Sequence, residues 1–178
     1  MFTRVTDDDL PAIVALLNRA YRGAGESRGW TTERAFLVGD RASEAQLSAD
    51  LKEKPSALLL KWQETPGGPP VGCVWLEPIG DRIWYLGSFA ADPERQNGGL
   101  GRAMLTAAEA WVRERGGQRI QMTVINVRGP LIDWYGRRGY RRNGETHPFP
   151  YGDDRFGVPL RDDLAFVVLE KTLEPVGA

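Results

Sequence analysis

The chain has 178 residues, 42% of them hydrophobic and 26% charged, a length and make-up that suit one soluble domain with a sizeable core spanning 1–178. Lys and Arg number 23 against 24 Asp and Glu, and the net charge of −1 gives no global pull toward nucleic acid or an anionic membrane. A single cysteine, Cys73, excludes an intramolecular disulfide and a thiolate metal cluster and fits a reducing, cytoplasmic compartment.

In chain order, Phe2 to Val5 reads as a short strand. Thr6 then caps a helix with Asp7, Asp8 and Asp9 in its first turn, where the helix dipole favours negative charge. Leu10, Ile13, Val14, Leu17 and Tyr21 recur at helical spacing and form its buried face. In the glycine- and arginine-rich stretch that follows, Thr31 or Thr32 is positioned to cap a second short helix, and 43–53 reads as a third. Ala57 to Trp62 and Val71 to Glu77 form a hairpin across Pro66-Gly67-Gly68-Pro69-Pro70. Ile83 to Ala91 is the next strand. Gly99 to Arg115 is a strong amphipathic helix with Leu100, Met104, Ala107, Ala108, Trp111 and Val112 on one face. Gln118 to Val124 alternates as a strand, Pro130 to Arg138 is a short helix, Tyr140 opens a strand and Leu164 to Leu173 closes the sheet. The pattern is an α/β (α+β) chain with a mixed, largely antiparallel sheet. No leader with a cleavage site begins the chain, and no apolar run approaches the ~20 residues that span a bilayer, so a soluble protein is expected, without a membrane or nucleic-acid partner.

The strand ending at Ala91 runs through Asp92-Pro93-Glu94-Arg95 into Gln96-Asn97-Gly98-Gly99-Leu100-Gly101-Arg102, where a helix begins. The first N–H groups of a helix lack intrahelical partners, and glycines remove the Cβ atoms that hold an anion off. Such a loop suits a pyrophosphate; its plainer reading is a turn that merely starts a helix. Gly101 is followed by Arg102-Ala103 in place of the Lys-Ser/Thr of a Walker loop. Gly98, Gly99 and Gly101 do not have dinucleotide-fold spacing, and the neighbouring strands form a hairpin instead of a parallel unit.

Gln96, Gly99 and Gly101 resemble the Gln-x-x-Gly-x-Gly acetyl-coenzyme A motif of the GNAT acyltransferases, and Asp92-Pro93 before them is typical of that family. Asn126, then Leu131, Ile132, Trp134, Tyr135, Gly136, Arg137, Arg138, Gly139 and Tyr140, resemble its second signature. The runs Gly29-Trp30-Thr31-Thr32-Glu33 and Pro148-Phe149-Pro150-Tyr151-Gly152 look like those of a bacterial subgroup. The resemblance implies a single acetyltransferase domain whose strands 83–91 and 118–124 splay into a V-shaped slot between flanking helices. It further implies acetyl-coenzyme A as cosubstrate. The pantetheine arm would pair along Phe89, Ala90 and Ala91, the pyrophosphate would meet the amides of Asn97, Gly98, Gly99, Leu100, Gly101 and Arg102, and Asn126 would hold the arm's amide groups or, on its plainer reading, cap a turn. Tyr135 stands where the family keeps its general acid, and a phenol, protonated at neutral pH, suits that role; the alternative is core packing beside Trp134.

The strand 83–91 carries no carboxylate to serve as base. Glu33 is the first candidate, with an exposed helix-start glutamate as the alternative, and a water chain reaching Ser88 or Tyr85 would also serve. Trp30, Glu33, Arg41, Arg28 and the aromatics of 147–156 are candidates to line the acceptor slot. An arginine could clamp a carboxylate, or an aromatic could stack on a cation. Arg137, Arg138, Arg141 and Arg142 suit the coenzyme's 3′-phosphate or form a solvated basic face. His147 has no partners for a metal site and Cys73 reads as core. The expected acceptor is an amine of a small molecule or peptide. A non-catalytic acyl-coenzyme A binding or sensing module on the same fold is the second reading. Exposed edges beside the slot make a homodimer plausible.

Overall fold

The computed structural model describes residues 1–23, 32–95 and 98–174. A short strand β1 (Phe2–Arg4) leads through a single 3₁₀ turn at Asp7–Asp9 into α1 (Leu10–Arg22). The backbone N–H of Thr6 and its hydroxyl both donate to the Asp9 carboxylate, so the turn is capped by its own acidic residues. The helix buries Leu10, Ile13, Leu16, Leu17 and Ala20. The short helix expected at Thr31 or Thr32 is absent from the described part of that segment: residues 34–36 form a turn and lead into the two-residue strand β2 (Leu37–Val38). The turn closes because Phe36 and Leu37 donate to the Glu33 carbonyl, while the Glu33 N–H is tied back to Tyr21 on α1. Helix α2 (Glu44–Glu53) follows, capped by the Ser43 hydroxyl.

The main sheet is then laid down by β3 (Leu58–Trp62), β4 (Gly72–Gly80) and β5 (Ile83–Ala91), a meander of antiparallel strands. Helix α3 (Leu100–Glu114) crosses over to β6 (Arg119–Ile125), and α4 (Gly129–Gly136) to β7 (Arg141–Pro148). After the small strand β8 (Val158–Pro159), β9 (Ala165–Thr172) inserts between β6 and β7. Seven strands lie in the order β1-β3-β4-β5-β6-β9-β7, and β2 with β8 forms a separate two-stranded ribbon. Every pairing is antiparallel except β5 with β6. The expected mixed, mostly antiparallel sheet between helices is therefore present.

Both faces of the sheet are covered. One carries α1 and α2 over Leu59, Cys73, Trp75 and Ala90; the other carries α3 and α4 over Leu60, Leu76, Leu86, Ile120 and Met122. A third cluster, Phe36, Leu37, Ile125, Phe149 and Leu164, joins the ribbon to the end of β6.

The β5–β6 pair is short. It holds from Ile83↔Arg119 to Tyr85↔Gln121 and stops, although β6 continues to pair with β9 as far as Ile125↔Phe166. The cause lies on β5's other side. Between Cys73↔Ala90 and Trp75↔Gly87, β4 advances two residues while β5 advances three. The extra residue makes a β-bulge, with Ser88 in the left-handed region at φ +43°. A bulge bends its strand and sharpens its twist, which carries the second half of β5 away from β6. The V-shaped split implied by the glycine-loop family is thus built by one surplus residue.

Within the second core a charged group is buried. Glu109 on α3 accepts from the Tyr140 hydroxyl at 3.1 Å and from Lys171 Nζ at 2.8 Å to each oxygen, tying α3 to β9 and to the start of β7. The helical face read from the sequence omits it, since spacing alone places a glutamate at the edge of the stripe. Removing the carboxylate leaves a buried phenol and a largely buried ammonium without partners. Glu109→Ala is expected to cost about 3 kcal/mol, read as a fall in melting temperature of roughly 6–12 °C for a chain of this size. An unchanged transition would show the network to be dispensable.

Candidate functional site

Two cavities open from the split. The larger, about 690 Å³, runs from the fork toward the start of α3 and is bordered by β5, α3 and α4. The smaller, about 220 Å³, lies deeper between β5 and β6 on the α1 side. Tyr21, Phe89, Arg128, Leu131 and Tyr135 line both, so the two cavities meet at these side chains.

The larger cavity carries the phosphate-cradle features. Gly99, Leu100, Gly101 and Arg102 line it, with Phe89, Ala90 and Ala91 from β5. Gly99 is the N-cap of α3 at φ +80°, a conformation that any side chain would strain, and a Cβ built there meets nothing within 4 Å. The glycine is therefore demanded by the backbone, and it leaves the helix start open to the cavity. Gln96, Asn97, Arg28 and Trp30 fall outside the described residues.

Cations line this opening. Arg102, Arg137 and Arg138 all border it. Arg138 stacks on the Trp134 ring at 3.5 Å and donates from one guanidinium nitrogen to the Trp134 carbonyl, yet its buried Nε has no partner. Burial first, and then the neighbouring guanidiniums of Arg137 and Arg102, lower its pKa. An anion would satisfy that N–H and offset the mutual repulsion. Of the basic cluster read from the sequence, only Arg137 and Arg138 reach the cavity. Arg141 folds back onto the carbonyls of Gly136 and Tyr140, and Arg142 is exposed on β7.

Asn126 holds backbone groups of the segment that enters β9. Its amide nitrogen donates to the Asp163 carbonyl at 2.9 Å and its amide oxygen accepts from Ala165 N–H at 3.0 Å. These bonds fix the entry to β9 and leave each group one further hydrogen bond to make, and Asn126 is not among the residues that line either cavity.

Tyr135 is buried on α4 at the junction. Its ring packs edge-on against Trp134 and Tyr140, at centroid distances of 5.1 and 5.7 Å. Burial, chiefly, pushes its pKa above the ordinary phenol value, so it holds its proton throughout the neutral range. Packing and access to the cavities are both satisfied, so the two readings of this residue are compatible. Tyr21, which the sequence marked only as core, reaches across the fork and donates to the Phe89 carbonyl at 3.2 Å, fixing the bulged half of β5.

The smaller cavity holds Glu33, and the structure corrects its surroundings. It is buried, not an exposed helix-start residue. One carboxylate oxygen is paired with Arg22 and the other accepts from Arg128 at 2.9 Å. Arg22 also donates to the Gly39 and Phe156 carbonyls. Arg41 lies with its guanidinium 5.0 Å from the Tyr21 ring centre, and its backbone N–H is held by Asn18. Phe149 and Phe156 represent the 147–156 aromatics on the wall, while His147 is exposed on β7. At the fork itself the hydroxyls of Tyr85 and Thr123 are 3.2 Å apart, bridging β5 and β6 just beyond their last backbone pair. Tyr85 was named from the sequence as an end point for a water chain, whereas Arg22, Arg128 and Thr123 carried no sequence signal, because each acts through a partner elsewhere in the chain. Among the described residues no group of His, Cys, Asp and Glu is disposed to hold a metal, and no helix is long and apolar enough to cross a membrane.

Comparison with known proteins agrees with this geometry. The family model for the acetyltransferase (GNAT) family matches residues 10–140, and the chain belongs to that family. It is 25% identical over 153 residues to a mycothiol acetyltransferase of Kytococcus sedentarius, covering 79% of this chain and 50% of that protein. It is 28% identical over 149 residues to one from Salinispora tropica, covering 78% and 48%. The chain thus spans about half the length of the curated relatives it matches. The crystal structure of the Escherichia coli ribosomal-protein-S18-alanine N-acetyltransferase shares the fold, with a TM-score of 0.69 over 99% of this chain and 96% of that one, at 18% identity.

The buried groups around the fork set an alkaline limit on stability. Burial raises the Cys73 thiol from 9.0 to about 12 and the Tyr21 phenol from 10.0 to about 12. Below pH 9 both groups are protonated in folded and unfolded chains alike, and their contribution is fully present. Above it, the unfolded chain sheds first the thiol and then the phenol proton while the folded chain keeps both, so stability falls as pH rises toward 12. Urea midpoints are expected to be level to about pH 9 and then decline, and Cys73→Ala should remove the earliest part of the decline.

Proposed function

We propose that the chain is an acetyl-coenzyme A-dependent N-acetyltransferase acting on the amine of a small molecule or peptide. The observation that carries this reading is the pair of cavities that meet at Tyr135, one with a cationic, glycine-bounded mouth and one lined by Arg22, Arg41, Arg128 and Glu33 beside apolar side chains. The coenzyme fits the first chemically. Its phosphates meet the start of α3 and the guanidiniums of Arg102, Arg137 and Arg138, and its arm lies against Phe89, Ala90 and Ala91, where β5 has lost its β6 partner. Acetyl-coenzyme A supplies an activated thioester; the protein's part is to bring an amine to it and to manage the protons.

The acceptor amine enters from the smaller cavity. Its nitrogen bonds to the thioester carbon, the carbon–sulfur bond breaks, and the sulfur leaves with the electron pair. Tyr135 gives that sulfur a proton and regains one from solvent. No cysteine nucleophile is needed, in keeping with Cys73, which is buried and donates to the Ser88 carbonyl at 3.4 Å. Glu33 is the only carboxylate among the described residues lining the acceptor cavity, and both its oxygens are held by guanidiniums. We assign it to holding Arg22 and Arg128 in place. The amine's proton leaves instead through water along the Tyr85–Thr123 hydroxyls.

Tyr135→Phe should lower kcat by about 10²- to 10⁴-fold while the Kd for coenzyme A is unchanged; equal turnover in that variant would remove the acid role. Gly99→Glu introduces a strained Cβ and a negative charge at the helix start, and coenzyme A binding, followed by calorimetry, should be lost. A panel of amines with thiol release as readout, compounds of the mycothiol series included, tests the activity itself. Tight coenzyme A binding with no turnover of any amine would favour an acyl-coenzyme A sensor in place of an enzyme.

A further inference from the structure

We infer that the acceptor is an amine that also carries a carboxylate, and that Arg41 is the residue that binds it; this rests on the transferase reading above. Four charged side chains line the smaller cavity among the described residues: Arg22, Arg41, Arg128 and Glu33. Three positive charges against one negative leave a net charge of +2 facing a space of about 220 Å³. Such a wall favours an anionic group and disfavours a second cation.

The three arginines are not equivalent. Arg22 is consumed: its three guanidinium nitrogens are bonded to Gly39, Glu33 and Phe156. Arg128 is anchored on the other Glu33 oxygen. Arg41 is held by its backbone and by the face of Tyr21, and its guanidinium is left to act on what enters. A guanidinium presents a planar fork that matches a carboxylate, and that of Arg41 is placed over the Tyr21 ring.

The alternative acceptor, a cation stacked on an aromatic face, is opposed by the same contacts. The Tyr21 ring is covered by Arg41 at 5.0 Å and approached by Arg128 at 5.7 Å. The stacking surface at the centre of the site is already taken by the protein's own cations. The space of about 220 Å³ accommodates an amino acid or the terminus of a short peptide with its amine directed at the junction. The apolar wall of Leu37, Phe149, Phe156 and Phe166 gives room for a non-polar side chain.

The test uses the full chain loaded with coenzyme A or acetyl-coenzyme A and matched acceptors: L-amino acids, their primary amides and the corresponding decarboxylated amines. Binding is read by calorimetry on the coenzyme A complex, and turnover by thiol release. We expect the free acids to exceed the amides and amines by about 100-fold in kcat/KM or in affinity. Arg41→Gln should erase that ratio, while Arg41→Lys retains part of it and coenzyme A affinity is unchanged in both. Preference for the amides or amines, binding of no carboxylate-bearing amine, or a ratio unaltered in Arg41→Gln overturns the inference. Selective binding of the acids without turnover would uphold the carboxylate site while overturning the transferase reading. Turnover confined to uncharged or polycationic amines would do the reverse.

Discussion

The site depends on the failure of two strands to stay paired. Parallel neighbours that have begun to share backbone hydrogen bonds have every reason to continue, because unpaired amides and carbonyls are costly when buried. Here β5 and β6 share three residue pairs and part. The bulge at Ser88 makes the separation cheap by bending β5, and the Tyr21 hydroxyl then satisfies the Phe89 carbonyl that β6 no longer reaches. Both cavities are products of that separation, and so is the exposed run of β5 backbone along which an extended ligand can lie. A defect in the ladder is converted into a binding surface whose position is fixed by the well-ordered strands on either side.

The two cavities differ in how their charge is managed. At the larger cavity Arg138 has a buried Nε–H with no partner among the described residues, and its neighbours Arg102 and Arg137 carry the same sign. Among the described residues that line this cavity, five arginines, Arg95, Arg102, Arg128, Arg137 and Arg138, face one carboxylate, Asp133, an excess that suits an anionic ligand. At the smaller cavity Glu33 neutralises part of the field and orders the arginines around it. With one oxygen on Arg22 and the other on Arg128, the Glu33 carboxylate is tied into the wall of the cavity.

The parts legible in the sequence were those with short-range causes. The Gly98–Gly101 turn and the helix after it follow from local backbone chemistry. The strands of the meander follow from residue alternation, and Tyr135 was found because its motif is compact. The failures share a different origin. Glu33 takes its character from Arg22 and from Arg128, the latter 95 positions away. Asn126 is claimed by Asp163 and Ala165, 37 and 39 positions on. The surplus residue at Ser88 shows itself only against the register of β4, and Glu109 is buried because Lys171 and Tyr140 come to it. Spacing rules report which face of an element a residue occupies; they are silent on what the opposing element brings.

The last strand of the sheet has a bearing on how the molecule behaves in company. Strand β7 is exposed along its whole length, and nothing pairs with its outer edge. Arg141, Arg142 and Glu145 lie on it, its register with β9 shifts between Arg142 and Thr146, Gly144 sits at φ +93°, and Pro148 ends it without an N–H to offer. Charge, a kink and a missing donor are the devices by which an open edge is kept from recruiting another strand. At the opposite end β1 is only three residues long. The sheet is blunted at both margins, which steers copies of this chain that meet in solution away from runaway strand addition.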